Sequence, residues 1–196
     1  MVQQFKKNIV RIARYIENIG DNIDDNSIEK VIKYILGAEK IFVYGAGRSG
    51  LIARAFGMQL MHFGKEIYVV GETINPPAGE SDLFIIVSGS GETESAVDLA
   101  TLASKLGVRI IAVTSNKKSR LAKIAKNIIF IDSKYKKHIE KDYILRQLSY
   151  RDMKAYEPTL FEICALVVLE SIIEELLHRT GKTSYDLMKR HANVEH

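Results

Sequence analysis

The sequence predicts an α/β protein: a three-layer αβα domain built on a five-stranded parallel sheet. Three observations carry the prediction. Short, almost continuously apolar runs (Ile41-Phe42-Val43-Tyr44, Leu83-Phe84-Ile85-Ile86-Val87, Arg109–Thr114) alternate with longer stretches of helical periodicity. Strands without polar alternation are buried on both faces, as in a parallel sheet covered by helices on either side. Two glycine- and serine-rich segments, Gly45-Ala46-Gly47-Arg48-Ser49-Gly50 and Ser88-Gly89-Ser90-Gly91-Glu92-Thr93, stand where such runs give way to helices.

The elements follow in order. Phe5, Ile9, Ile12, Ile16 and Ile19 recur at helical spacing, and Gly20 is expected to end that helix. Asp24-Asp25-Asn26-Ser27 offers caps for a second helix, with Ile28, Val31, Ile32 and Ile35 on one face and Gly37 at its close. Next come a strand at Lys40–Tyr44, a helix at Ser49–Phe63 stopped by Gly64, and a strand at Glu66–Val70. A loop over Gly71–Gly79 holds Pro76 and Pro77. The alternation resumes with a strand at Asp82–Val87, a helix at Glu92–Leu106, a strand at Arg109–Thr114, a short helix at Ser119–Ala125 and a strand at Asn127–Ile131. Asp132–Glu157 is polar and charged; Ile144, Leu148 and Met153 give it at most a short helix, as a solvated excursion, a subunit contact or a lid. Thr159–Thr180 is apolar over much of its circumference, which implies burial between subunits or under the sheet. Thr183 caps a final helix through Arg190. The chain therefore divides as N-terminal helices (1–37), a βαβ core (38–131), a charged loop (132–157) and C-terminal helices (158–196), all within one domain.

Composition excludes several classes. The 196 residues suffice for one domain with a full core. The net charge of +4 is spread among interspersed acids, with no helix-turn-helix or basic arm, which argues against nucleic acid as partner. A single Cys forbids an internal disulfide and disfavours a thiolate metal site. Lys6, Lys7, Arg11 and Arg14 without a long apolar core are not a signal peptide, and no run of about 18 apolar residues is present to span a membrane. The expected location is the cytoplasm.

The two glycine-serine segments have the makings of a phosphate site. Glycines permit tight turns and close backbone approach, and free N–H groups at a helix start point at an anion. Neither segment contains Lys, so neither is a Walker P-loop; Gly45, Gly47 and Gly50 have G-x-G-x-x-G spacing, which alone is a weak sign of a dinucleotide. A serine-rich loop suits a monophosphate. The phosphate ligands are Ser49, Ser88, Ser90 and Thr93, with Gly89 in the same loop; simple helix capping uses the same geometry. Arg48 either meets the phosphate, polarises a carbonyl or pairs with a surface carboxylate. Glu92 reads as a capping carboxylate, and Gly71-Glu72-Thr73 as a wall of the pocket.

These residues resemble a known group. The βαβ order and the two glycine loops look like the sugar isomerase (SIS) domain. Arg54-Ala55-Phe56-Gly57-Met58-Gln59-Leu60-Met61-His62, Val70-Gly71-Glu72-Thr73, Thr159-Leu160-Phe161-Glu162 and Lys189-Arg190-His191-Ala192-Asn193 narrow the likeness to the 6-phospho-3-hexuloisomerase family. The family resemblance implies interconversion of 3-hexulose 6-phosphate and fructose 6-phosphate through a 2,3-enediol, without a cofactor. It also implies a homo-oligomer, by resemblance a tetramer, and a place in the ribulose monophosphate pathway. Glu162, in the first turn of an apolar helix, is the candidate base; a carboxylate serving the helix dipole is the plainer reading. In related isomerases a histidine enters from a neighbouring subunit. His191 matches it and is expected to move a proton between O2 and O3, or to open the ring.

Other residues read as structural: Cys164 as core, His62 as a buried hydrogen-bonded histidine, His138 and His178 as solvated. No metal is expected, because no His/Cys/Asp/Glu set has zinc spacing. Two alternatives stay open, a non-catalytic phosphosugar sensor and an isomerase for another sugar phosphate such as arabinose 5-phosphate. The sensor rests on Tyr156-Glu157-Pro158, which replaces the family's Pro-Leu-Gly-like or Pro-Met-Gly-like approach to the Thr-Leu-Phe-Glu helix.

Overall fold

The computed structural model describes residues 2–133 and 160–191. Two helices, α1 (Gln3–Asn22) and α2 (Asp25–Gly37), lead into β1 (Lys40–Gly45), α3 (Arg48–Phe63), β2 (Glu66–Val69), β3 (Leu83–Val87) and α4 (Glu94–Lys105). Then come β4 (Arg109–Thr114), α5 (Arg120–Ile124), β5 (Asn127–Phe130), the long helix α6 (Leu160–Thr180) and the short helix α7 (Ser184–Met188). The five strands pair in parallel in the order β2-β1-β3-β4-β5.

Side chains alternate between two cores. Ile41, Val43, Leu83, Ile85, Val87, Ile111 and Val113 face one core, with α2, α3 and α6. Phe42, Phe84, Ile86, Ile110 and Ala112 face the other, with α4 and α5. This is the three-layer arrangement expected from the unbroken apolar strands. Helix α6 lies under the sheet, with Cys164, Ala165, Leu169 and Leu176 buried against α3 and its neighbours. Burial pushes the Cys164 thiol up, as for an inert core cysteine. Asp82 ties the start of β3 to β1: its carboxylate accepts from the Lys40 backbone N–H at 3.1 Å and lies 3.3 Å from Lys40 Nζ.

Most boundaries fall within one residue of expectation, and three differ by two. Helix α1 runs through Gly20 to Asn22, because Ile16 and Ile19 pack on the body and Asn22 Nδ2 donates to Asn18 O at 2.8 Å. Helix α4 starts at Glu94 rather than Glu92, whose carboxylate is engaged elsewhere. Helix α7 ends at Met188 rather than Arg190; the N–H groups of Arg190 and His191 make tight turn bonds to Leu187 O and Met188 O. Most of the charged stretch 132–157, His138, and the Tyr156-Glu157-Pro158 approach lie outside the described residues. Among the described residues, no helix is long and apolar enough to cross a membrane.

Candidate active site

The chain runs from β1 outward to β2 and then back across to β3, so the strand order reverses between β1 and β3. Beyond the carboxyl ends of those strands lies the crevice where open α/β sheets take ligands. Both glycine-serine segments are there, side by side, because β1 and β3 are in register through Gly45 and Val87. At the first, α3 begins directly on the end of β1. A Cβ on Gly45 would stand 2.6 Å from the Ser49 carbonyl, and one on Gly50 would stand 2.5 Å from Gly45 O. No side chain fits at either position. Gly47, at φ +58°, makes the turn that aims the first helical N–H groups into the crevice.

The second segment is oriented by its carbonyls. Gly89 O accepts from Ser115 N and Thr114 Oγ1, Ser90 O from Asn116 Nδ2, Gly91 O from Leu121 N, and Glu92 O from Arg120. All of these donors lie on the β4–α5 side. With the carbonyls drawn back, the N–H groups of Gly89, Ser90 and Thr93 have no acceptor among the described residues. A loop with its carbonyls tied down and its N–H groups unspent is an anion nest. Ser88 Oγ accepts from Gly91 N at 3.2 Å and lies 3.4 Å from Thr93 Oγ1; Ser90 Oγ accepts from Glu92 N at 3.2 Å. Thr93 is the N-cap residue of α4, yet its hydroxyl makes no capping bond. The hydroxyl of Ser49 has no partner among the described residues, and that of Thr93 has only the long contact with Ser88.

What holds this loop was not visible in the sequence. Arg120, the first residue of α5, donates to Glu92 at 2.9 Å and to both carboxylate oxygens of Glu94. Its backbone N–H donates to Glu92 Oε1 at 3.1 Å. Glu92 is a capping carboxylate, as expected, but for α5 and not for its own helix. The two acids hold the guanidinium firmly charged. Thr114, Ser115 and Asn116 also went unremarked, as their role is only to receive or position backbone.

The first turn of α6 closes the crevice. Phe161 lies against Gly89: a Cβ there would be 3.0 Å from its ring. Glu162 follows, its side chain 18% exposed, with Oε1 at 3.7 Å from Arg48 Nε. Arg48 itself is half exposed, so its guanidinium faces both the carboxylate and solvent. Arg48, Glu162, Ser88, Gly89, Ser90 and Thr93 thus converge on one edge. Glu72 pairs with Arg54 at 2.6 Å, which pins the loop after β2 to α3.

His191 is not there. Its ring stacks on His62, centroids 4.0 Å apart, at the carboxyl end of α3. Arg48 begins that helix, so about 20 Å of helix separates the two residues. His62 is buried as expected, but its Nδ1 has no hydrogen-bond partner among the described residues. His178 is exposed.

The profile of the SIS domain matches residues 34–153, and the chain belongs to this family of sugar isomerase domains. Within it, the chain is 34% identical over 189 residues to the 3-hexulose-6-phosphate isomerase of Bacillus subtilis, covering 95% of this chain and 97% of that one. An uncharacterized protein of Archaeoglobus fulgidus is 40% identical over 184 residues, covering 94% of this chain and 96% of that one. A crystal structure from Methanococcus jannaschii, described as inferring a 3-hexulose-6-phosphate isomerase function, superposes with a TM-score of 0.77. It is 33% identical and covers 95% of this chain and 98% of that one.

Proposed function

We propose that the protein is a 6-phospho-3-hexuloisomerase, interconverting 3-hexulose 6-phosphate and fructose 6-phosphate. The observation that carries the reading is the meeting of an anion nest with the Arg48–Glu162 pair at the sheet's switch point. That is an anchor for a monophosphate beside one base. Relatives named for this reaction, at 34% identity over nearly the whole chain, support the choice of sugar.

The 3-ketone cannot close a five-membered ring through O6, which is esterified, so this substrate arrives open-chain. The phosphate binds the N–H groups of Gly89 and Ser90 and the hydroxyls of Ser49, Ser88, Ser90 and Thr93. Glu162 takes the proton from C2 while the carbonyl at C3 becomes an enediol oxygen. Arg48 lies beside the carboxylate, in place to meet that oxygen. The proton returns at C3, the O2 hydroxyl gives up its proton, and the carbonyl now stands at C2. His191 carries the proton between O2 and O3. Being roughly a helix length from its own chain's Glu162, it serves a neighbouring chain in a homo-oligomer. No step oxidises or reduces the substrate as a whole, and no cofactor enters.

The test couples the purified protein to a 3-hexulose-6-phosphate synthase and supplies fructose 6-phosphate. Release of formaldehyde and ribulose 5-phosphate that depends on this protein is expected. No release, with the Bacillus subtilis enzyme active in parallel, rejects the reading.

A further inference from the structure

The carboxyl end of α3 is assembled with some care. Lys182 Nζ donates to Phe63 O at 2.7 Å and lies over the Phe63 ring. The Arg190 guanidinium covers Gly64, the φ +111° residue that ends the helix. A capping box joins Thr183 and Asp186 at the start of α7. Together these dock α7 on the end of α3 and bring His191 over His62. The two rings are 27° from parallel, and His62 borders a cleft of about 290 Å³ that Lys182 and Arg190 also line.

The side chain beneath is the unusual one. His62 is 4% exposed, and its Nδ1 meets no donor or acceptor. A buried polar atom without a partner is unfavourable relative to an apolar residue of similar shape. Around His62, Leu60 and Phe63 fill the same helix end with apolar side chains. What His62 does supply is a flat aromatic face at the one place where His191 rests. The His191 side chain makes no hydrogen bond among the described residues, so this stack is what fixes its ring.

We propose that His62 is a positioning residue: its buried ring is the platform that sets the orientation in which His191 is presented to a neighbouring chain. The proposal rests on the assignment of His191 as proton carrier. Misplacing a catalytic group by about 1 Å costs up to roughly a hundredfold in rate, whereas substrate binding at the nest, a helix length away, has no reason to change.

The experiment is a kinetic cycle on fructose 6-phosphate turnover by the intact oligomer, with His62→Leu, His62→Phe, His191→Gln and the double variant His62→Leu/His191→Gln. The leucine variant is expected to lose about tenfold in kcat with KM within about twofold, and phenylalanine, which keeps the aromatic face, to recover most of the loss. In the His191→Gln background, His62→Leu should cost nothing more, because the platform has nothing left to orient. Wild-type kcat in His62→Leu, no recovery in His62→Phe, or the same tenfold loss again in the double variant overturns the proposal. Wild-type turnover in His191→Gln removes the assignment of His191 and this proposal with it, a result distinct from failure of His62 alone. Should His62→Leu fail to fold by circular dichroism, His62→Gln, polar and without an aromatic face, takes its place with the same expected kcat loss and the same overturning results.

Discussion

The two ends of α3 are built on opposite principles. At the amino end, glycines bring helix and strand into contact, and the adjoining serine loop has its carbonyls bound from behind. The polar groups left over there all point into one crevice. At the carboxyl end the fastening is equally thorough, but it leaves a buried imidazole nitrogen with no partner. On the proposed function, the first end is the anion site, and the second carries His191, the proposed proton carrier, a helix length away from it. The contrast lies in where the unpaired groups sit: at the amino end they face a crevice, as an anion site requires, whereas at the carboxyl end the one left unpaired among the described residues is buried beneath a second imidazole.

The contrast breaks most sharply at Glu162. Glu162→Gln should lower kcat by about a thousandfold or more while phosphosugar affinity by calorimetry stays within about threefold. Turnover near the wild-type rate would remove the carboxylate from the chemistry. The anchor comes next. Ser88→Ala and Ser90→Ala should each weaken fructose 6-phosphate binding by about tenfold, the value of a charge-assisted hydrogen bond. Unchanged affinity in both would mean that the nest faces something other than phosphate.

Arg120→Met separates holding the loop from touching the ligand. Because Arg120 and its two acids are partly exposed, the stability loss should be near 1 kcal/mol in urea titration. KM should rise by about three- to fivefold as the loop loosens, with kcat little changed. A loss confined to kcat would place Arg120 nearer the reacting atoms than its bonds to Glu92 and Glu94 allow.

The smallest effect belongs to the other end. Burial, with His191 alongside, holds the His62 imidazole below its ordinary value of 6.5. As pH falls, the unfolded chain therefore takes up this proton first. The contribution of His62 is full above its unfolded value and is lost as pH falls through the lower, folded one. Urea midpoints of wild type and His62→Phe should accordingly converge or cross in favour of the variant between about pH 7.5 and about pH 5. A difference between them that does not change with pH contradicts the buried, neutral state.

Much of this was legible in the sequence because it is local. Unbroken apolar strands gave away the parallel sheet, and glycine-serine runs at strand ends gave away the crevice. Glu162 stood out in the first turn of an otherwise apolar helix. What escaped depends on distant partners. Nothing near Arg120 announces that it closes the Ser88–Thr93 loop, since Lys117 and Lys118 beside it carry the same charge. The meeting of His62 with His191 depends on where α7 docks. Gly20 misled because one glycine costs a helix only about 1 kcal/mol, which the packing of Ile16 and Ile19 outweighs. The resemblance reached His191, but only coordinates set it at the opposite end of α3 from the base.

The Lys40–Asp82 bond spans 42 residues of sequence, and it has a consequence for how the chain is made. Strand β1 emerges first yet lies inside the sheet, and its partner β3 comes only after α3, β2 and a proline-containing loop. Until then one whole edge of β1 has no mate. Parallel pairings between such distant segments form slowly, and unpaired apolar strands invite association with other chains. The two glycine segments that form the crevice take their final shape only when that late pairing closes, so acquisition of the anion site should report the completion of folding.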